Sequence, residues 1–276
     1  MTEAITAPNT IKRHRSARFV LPKDIIIPPL PASITIVEPT IAHHAATVLR
    51  LKPNTHLTLI HTSLETSYLA KVLDISTKSL TLEIVSQDDA VSDGLPHITI
   101  MAALIKGPRW DWLLQKTTEL GVRTIQPIIT QRTVVKTEEW QNKLPRWQDI
   151  TRAAVEQCDG RFLPTILEPS PLNQATKGIT NDTLNLVMME RGEGRISIAQ
   201  ALGVQRSTKG ALPEAVCIVV GPEGGLTTEE LESLVSQGFQ AIHYGRRILK
   251  AETAAIACLS GIVAIYDEGH DEGTLS

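Results

Sequence analysis

From residue 17 to 85 the apolar and β-branched residues come in short runs, at 33–37, 56–60, 68–75 and 79–85, broken by Pro, Asn and Ser. That spacing predicts a small all-β unit. The segment 87–96, Gln-Asp-Asp-Ala-Val-Ser-Asp-Gly-Leu-Pro, is polar, acidic and turn-rich, and reads as a linker. Beyond it the pattern changes. Residues 97–104 form a continuous apolar run, the mark of a buried strand, and Gly107-Pro108 ends it. Apolar positions at helical spacing then predict a helix over 109–120, closed by Gly121. Strands are expected at 124–129, 184–189, 216–220 and 240–244, and helices at 142–157, 228–236 and 252–266. Alternation of this kind predicts an α/β unit built on a parallel sheet. The expected domains are therefore 1–90 and 97–270, with a loose acidic tail over 267–276. Ligands of open α/β sheets sit at the carboxyl ends of strands, which directs attention to the loops after Met189, Val220 and Tyr244.

Length and composition agree with two folded units: 276 residues, 42% hydrophobic and 21% charged. The net charge of -3 means that a nucleic-acid partner must be held by a local basic surface and not by a global positive field. Lys12, Arg13, Arg15 and Arg18 form one such stretch without an acid, though a frayed basic N-terminus explains it equally well. Cys158, Cys217 and Cys258 are widely spaced, odd in number and outside any CxxC, so neither a disulfide framework nor a zinc site is indicated. There is no HExxH and no metal site is assigned. No run approaches the roughly 20 apolar residues of a membrane span, and the N-terminus carries charge where a secretory signal needs an apolar core. A cytoplasmic protein is expected.

The strongest local feature is the strand 216–220 running into Gly221-Pro222-Glu223-Gly224-Gly225, followed by a helix whose Thr227 and Glu230 fit a capping box. Glycines here let a backbone approach a ligand closely. The loop has neither GxxxxGK[ST] nor GxGxxG, which removes the physical support for a nucleotide-phosphate cradle or a nicotinamide-dependent oxidoreductase. Glu223 would repel phosphates, whereas a cationic sulfonium or ribose hydroxyls would accept a carboxylate.

A second feature is Tyr244-Gly245-Arg246-Arg247-Ile248-Leu249-Lys250-Ala251-Glu252-Thr253-Ala254. Cations opening a helix are electrostatically misplaced, which argues for an anionic partner; a solvated basic loop complemented by Glu252 is the plainer explanation. The third is the helix from Lys106 to Val122, where Trp110 and Trp112 could stack on bases but at least one is expected in the core. A GxSxG nucleophile elbow is absent, which weakens a hydrolase reading.

Taken in order, the segments 106–122, 132–136, Ala153-Ala-Val-Glu-Gln157, Gly221-Pro-Glu-Gly-Gly225 and Gly245-Arg-Arg-Ile-Leu-Lys-Ala-Glu-Thr253 resemble the RsmE family of 16S rRNA (uracil-N3)-methyltransferases over nearly the whole chain. The resemblance implies an N-terminal PUA-like β-barrel that docks RNA and a C-terminal SPOUT α/β domain with a trefoil knot. It also implies S-adenosylmethionine as cofactor, 16S rRNA or the small ribosomal subunit as partner, and a homodimer. Chain threading is so rare that nothing short of the resemblance would suggest it.

Carried over by position, the resemblance implies cofactor contacts from Met189, Glu190, Gly221, Pro222, Glu223, Gly224, Gly225, Tyr244, Gly245, Arg246, Ile248, Leu249 and Thr253. It places Arg247, Lys250 and Glu252 in catalysis and Arg18, His44, Arg50, Lys106, Arg109, Arg132, Lys136 and Arg161 on RNA. Lys250 stands where the family usually has arginine, which keeps the charge but loses the planar fork. Ile60-His61-Thr62 lacks the usual Asp-Gly turn, and Asp159-Gly160-Arg161 departs from the usual arrangement, so the RNA-facing position falls on Gly160 or Arg161. Another SPOUT methyltransferase with a different target nucleotide, and a non-catalytic RNA-binding factor, are the remaining alternatives.

Overall fold

The computed structural model describes residues 17–22, 25–62, 66–88, 93–135, 140–158, 160–180, 182–190 and 194–271. The chain divides into two compact units, 1–90 and 91–276.

The first unit contains β1 (Ala17–Val20), β2 (Ala32–Ile36), the short helix α1 (Pro39–His43) continuing as one π-helical stretch (His44–Val48), β3 (His56–His61), β4 (Thr66–Ile75) and β5 (Leu80–Asp88). They form a five-stranded sheet in the order β1-β3-β4-β5-β2. β1 runs parallel to β3, and the remaining pairs are antiparallel. Phe19, Leu57, Leu59, Tyr68, Leu80, Leu82 and Ile84 share one core. Along β5 Leu80, Leu82 and Ile84 face inward at the two-residue period of a strand. The sequence did not announce β1 or α1, and β5 continues to Asp88, into the segment read as a linker.

The second unit contains β6 (His97–Ala103), α2 (Pro108–Glu119), β7 (Thr124–Ile129), α3 (Trp140–Gln157), β8 (Thr165–Ile166), β9 (Ser170–Pro171), α4 (Leu172–Ala175) with a 3-10 turn after it, β10 (Leu184–Met188), β11 (Ile196–Ser197), α5 (Ile198–Lys209), β12 (Ala215–Val220), α6 (Thr228–Ser236), β13 (Gln240–His243) and α7 (Ala251–Asp271). The sheet order is β11-β13-β10-β12-β6-β7-β8, with β9 also pairing β7, and every pair is parallel. Both faces are covered, as a parallel sheet requires. On β12, Val216, Ile218 and Val220 enter one core with α2, α5 and α7, while Cys217 and Val219 enter the other with Leu234 and Phe239. Each fully buried Ile, Val or Leu contributes roughly 1.5–3 kcal/mol.

Local chemistry sets the boundaries. In α2, Trp110, Leu113, Leu114, Thr117 and Thr118 are buried, the i, i+3, i+4, i+7, i+8 pattern of one helix face. The two threonines enter the core because their hydroxyls donate to the carbonyls of Leu113 and Leu114 at 2.8 and 2.7 Å. Gly121, at φ +81°, ends the helix in the left-handed region, and a Cβ there would meet Leu95 at 2.7 Å. Both α5 and α6 open with complete capping boxes, Ser197 with Gln200 and Thr227 with Glu230. α7 runs to Asp271, so the segment expected to be loose from 267 onward begins as helix.

Candidate functional site

The loops after β10, β12 and β13 meet at the carboxyl edge of the sheet. They enclose a cleft of about 390 Å³, within the range of small-molecule sites. Met188, Met189 and Glu190 line it from the first loop, 220–222 and 224–228 with Leu231 from the second, and His243, Tyr244, Gly245, Arg247 and Leu249 from the third. Ala251 and Ala254 of α7 complete the wall together with Arg132 and Arg195. β10 sits between β12 and β13, so three segments far apart in sequence end side by side.

The glycine-rich loop is tightly built. The Gly225 amide donates to the Pro222 carbonyl at 2.8 Å, and Gly225 takes φ +70°. At Gly221 a Cβ would lie 3.1 Å from Leu226 Cγ and 3.2 Å from the Leu226 backbone nitrogen, so the turn needs glycine for closeness. One Glu230 carboxylate oxygen accepts from the Thr227 amide at 2.9 Å, and the other accepts from the Gln131 amide at 2.8 Å. Arg132 donates through one nitrogen to the Gly224 carbonyl at 2.7 Å and the Leu226 carbonyl at 3.4 Å. Arg195 donates to the Met189 carbonyl at 3.2 Å and also to that of Glu190. The exposed Glu229 carboxyl is held below its usual range, first by its own backbone N–H at the helix start, then by the Thr227 hydroxyl, with a smaller contribution from the charge of Arg132.

Ten of the expected cofactor or catalytic residues line the cleft: Met189, Glu190, Gly221, Pro222, Gly224, Gly225, Tyr244, Gly245, Arg247 and Leu249. Glu223, Arg246, Ile248, Lys250, Glu252 and Thr253 lie outside its lining. Glu223 turns away to form an ion pair with Arg109, so its carboxylate is directed at a cation of α2. Ala251 and Ala254 take the cleft-facing positions at the start of α7, and the helical period turns Glu252 and Thr253 elsewhere. Glu252 is 7% exposed, with Oε2 buried and unpartnered. Sequence reasoning missed Arg195, Leu226, Leu231 and His243 as lining residues, and placed Arg132 on RNA, not at this loop. The only usable signal was the Thr227–Glu230 capping box, which marks where the loop must end.

The expected RNA-facing residues are distributed over both units. In the first, Arg18 lies half-buried in β1, the ring of His44 meets Phe19 edge-on at 6.1 Å between centroids, and Arg50 is exposed at φ +50°. In the second, Lys106 is exposed and Arg161 half-buried. Lys136, and Lys12, Arg13 and Arg15 of the N-terminal stretch, lie outside the described residues. Trp110 is in the core, tilted against Trp147 at 5.6 Å, while Trp112 is 51% exposed with Lys116 over its ring at 4.9 Å. Among the described residues there is no cluster of metal-ligating side chains, and no helix is long and apolar enough to cross a membrane.

Residues 93–263 match the RNA methyltransferase domain family, and residues 37–85 match the RNA methyltransferase PUA domain. The chain is 30% identical over 263 residues to ribosomal RNA small subunit methyltransferase E of Synechocystis sp., covering 93% of this chain and 82% of that protein. The chain belongs to the ribosomal RNA small subunit methyltransferase E family. The Bacillus subtilis member is 34% identical over 60% of this chain and 64% of its own length. Among solved structures, the family member from Neisseria gonorrhoeae bound to S-adenosylmethionine is similar at a TM-score of 0.77 and 28% identity, over 91% of this chain and 98% of that one. A putative methyltransferase of Legionella pneumophila in complex with the same cofactor gives a TM-score of 0.76 at 27% identity, with the same coverage.

Proposed function

We propose that the chain is an S-adenosylmethionine-dependent methyltransferase that modifies N3 of a uracil in 16S rRNA. The observation that carries this reading is the cleft made by three strand-end loops, with apolar walls, backbone groups and no phosphate cradle, in a chain of this family. The residues fit the cofactor. Leu226, Leu231, Leu249 and Ala254 offer an apolar slot for a flat purine, and the close backbone at Gly221 and Gly225 brings peptide groups to its edge and to the ribose. When bound, the cofactor supplies an electrophilic methyl on a sulfonium.

Uracil N3 carries a proton at neutral pH, so the N3–H bond must break as the N3–methyl bond forms. Arg247, which lines the cleft, stabilises the negative charge that develops on the uracil carbonyl oxygens. Lys250, exposed immediately before α7, adds a second positive charge three residues further along the same segment. Glu252, buried outside the lining with Oε2 unpartnered, either orients this basic segment or takes up the proton that leaves N3.

In this reading the first unit is a PUA-like barrel that docks RNA through Arg18, His44 and Arg50, supported by the domain match over 37–85. The second is a SPOUT domain whose C-terminal chain is threaded as a trefoil knot. Its support is the sheet order, in which consecutive strands β12 and β13 lie on opposite sides of β10. Lys106, Arg109 and Arg161 are the RNA contacts of the second unit in this reading, and the enzyme works in the cytoplasm as a homodimer on the small ribosomal subunit. Incubation with labelled S-adenosylmethionine and small subunits lacking the modification, followed by nucleoside mass spectrometry, tests the proposal. N3-methyluridine is the expected product. A different methylated nucleoside would move the target, and failure to bind the cofactor would remove the enzymatic reading.

A further inference from the structure

Arg132 stands on the turn after β7, more than eighty residues before the glycine-rich loop, yet its guanidinium is built into that loop. One nitrogen donates to the carbonyls of Gly224 and Leu226 at 2.7 and 3.4 Å. Its aliphatic stem lies against Gly224, where an added Cβ would be 3.4 Å from both Cβ and Cδ of Arg132. The neighbouring Gln131 amide donates to Glu230, whose other carboxylate oxygen caps α6 through Thr227. The same turn is itself closed: the Thr133 hydroxyl accepts from the Thr130 amide at 2.9 Å. Residues 130–133 thus form a rigid bracket that grips both halves of the loop, one through its carbonyls and one through its helix cap.

We propose that Arg132 is a positioning residue for the cofactor loop, acting through the carbonyls of Gly224 and Leu226 and not as a contact to RNA phosphate. The inference rests on reading the cleft as the S-adenosylmethionine site. Its physical basis is preorganisation. A loop with three glycines has large backbone freedom when unrestrained, and binding would have to remove it. Charge-assisted hydrogen bonds to two of its carbonyls remove that freedom beforehand. They also turn the Gly224 and Leu226 peptides so that their oxygens face the bracket, which fixes the direction of the following amides. Both bonds are made by one nitrogen, so a separate measurement of RNA affinity decides whether the exposed remainder of the guanidinium also meets phosphate.

The test uses the full chain in three forms: wild type, Arg132→Met, which keeps the stem packing and deletes the donors, and Arg132→Lys, which restores a cationic donor. Backbone amide hydrogen exchange is measured without cofactor, and S-adenosylmethionine and RNA affinities are measured separately. In Arg132→Met, exchange should speed up over 221–230 and cofactor affinity should fall by about tenfold, the usual scale for losing hydrogen bonds to a charged donor. Arg132→Lys should recover most of both, and RNA affinity should stay near wild type in all three. Unchanged exchange over 221–230 in Arg132→Met overturns the proposal, as does a loss confined to RNA binding. If the wild type binds no S-adenosylmethionine, the reading of the cleft fails on its own, while the exchange data still decide whether Arg132 holds the loop.

Discussion

Replacing Gly221 with alanine is the sharpest test of how the cleft is built. The new Cβ would sit 3.1 Å from Leu226 Cγ, 3.2 Å from the Leu226 backbone nitrogen and 3.4 Å from the carbonyl carbon of Gly225. The leucine side chain can rotate aside. The backbone nitrogen cannot, because the Leu226 carbonyl is held by Arg132 and the next residue opens the capping box of α6. Forcing a methyl into such a place costs about 1–3 kcal/mol. In a unit of this size each kcal/mol lowers the melting temperature by roughly 2–4 °C, so a fall of roughly 2–12 °C is expected. Because the strain is located in the loop, cofactor affinity should fall as well. Thermal melting and calorimetry with S-adenosylmethionine on the full chain measure both. Gly203→Ala is the matched control: an added Cβ there meets nothing within 4 Å, and the residue lies within α5. It should raise stability by about 0.5–1 kcal/mol, because alanine restricts the unfolded chain and favours helix. A Gly221→Ala protein that melts and binds like wild type would refute the close-approach argument.

Burial raises the Cys217 and Cys258 thiols from 9.0 to about 12 and the Tyr266 phenol from 10.0 to about 12. Below the ordinary values these groups are protonated in folded and unfolded chains alike; above them only the unfolded chain releases protons. Stability should therefore be full at neutral pH and decline between about pH 9 and 12, by about 1 kcal/mol per pH unit for each thiol; a flat urea-unfolding profile across that window would contradict the burial assigned to them. The same burial predicts that a thiol reagent at mildly alkaline pH labels Cys158, which is half-buried, well before Cys217 or Cys258, and peptide mapping of the labelled protein reads the order. Arg247→Ala should cut turnover by about 10²–10³ while leaving cofactor affinity close to wild type; equal loss of both would move Arg247 from catalysis to cofactor binding.

How much of this was legible beforehand depended on whether the deciding interaction was local. The strand 124–129 and the helix 228–236 were predicted at the bounds observed, because periodicity and the Thr227–Glu230 box are written within a few residues of each other. α5 was missed although Ser197 and Gln200 carry the same signal. Only Ile198, Ala201 and Leu202 of that helix are buried, so its apolar stripe is too thin to register. β8, β9 and β11 have two residues each and exist through their partners in the sheet, which no local pattern encodes. In the site, glycines and the basic segment pointed to loops that line the cleft, but which side chain faces the cleft was decided by helix phase and by distant contacts. Glu223 was expected at the ligand and instead meets Arg109; Arg132 and Arg195 were not assigned to the cleft, because their partners are carbonyls, which leave no mark in a sequence.

The cleft takes its last wall from Ala251 and Ala254, near the end of the chain. During synthesis, then, every other part of the pocket is made before this wall, and the methyl donor has no complete seat until the start of α7 leaves the ribosome and docks. Loading with cofactor is thereby tied to synthesis of the start of α7, so a chain cut before Ala251 lacks part of the seat however well the rest of the sheet folds.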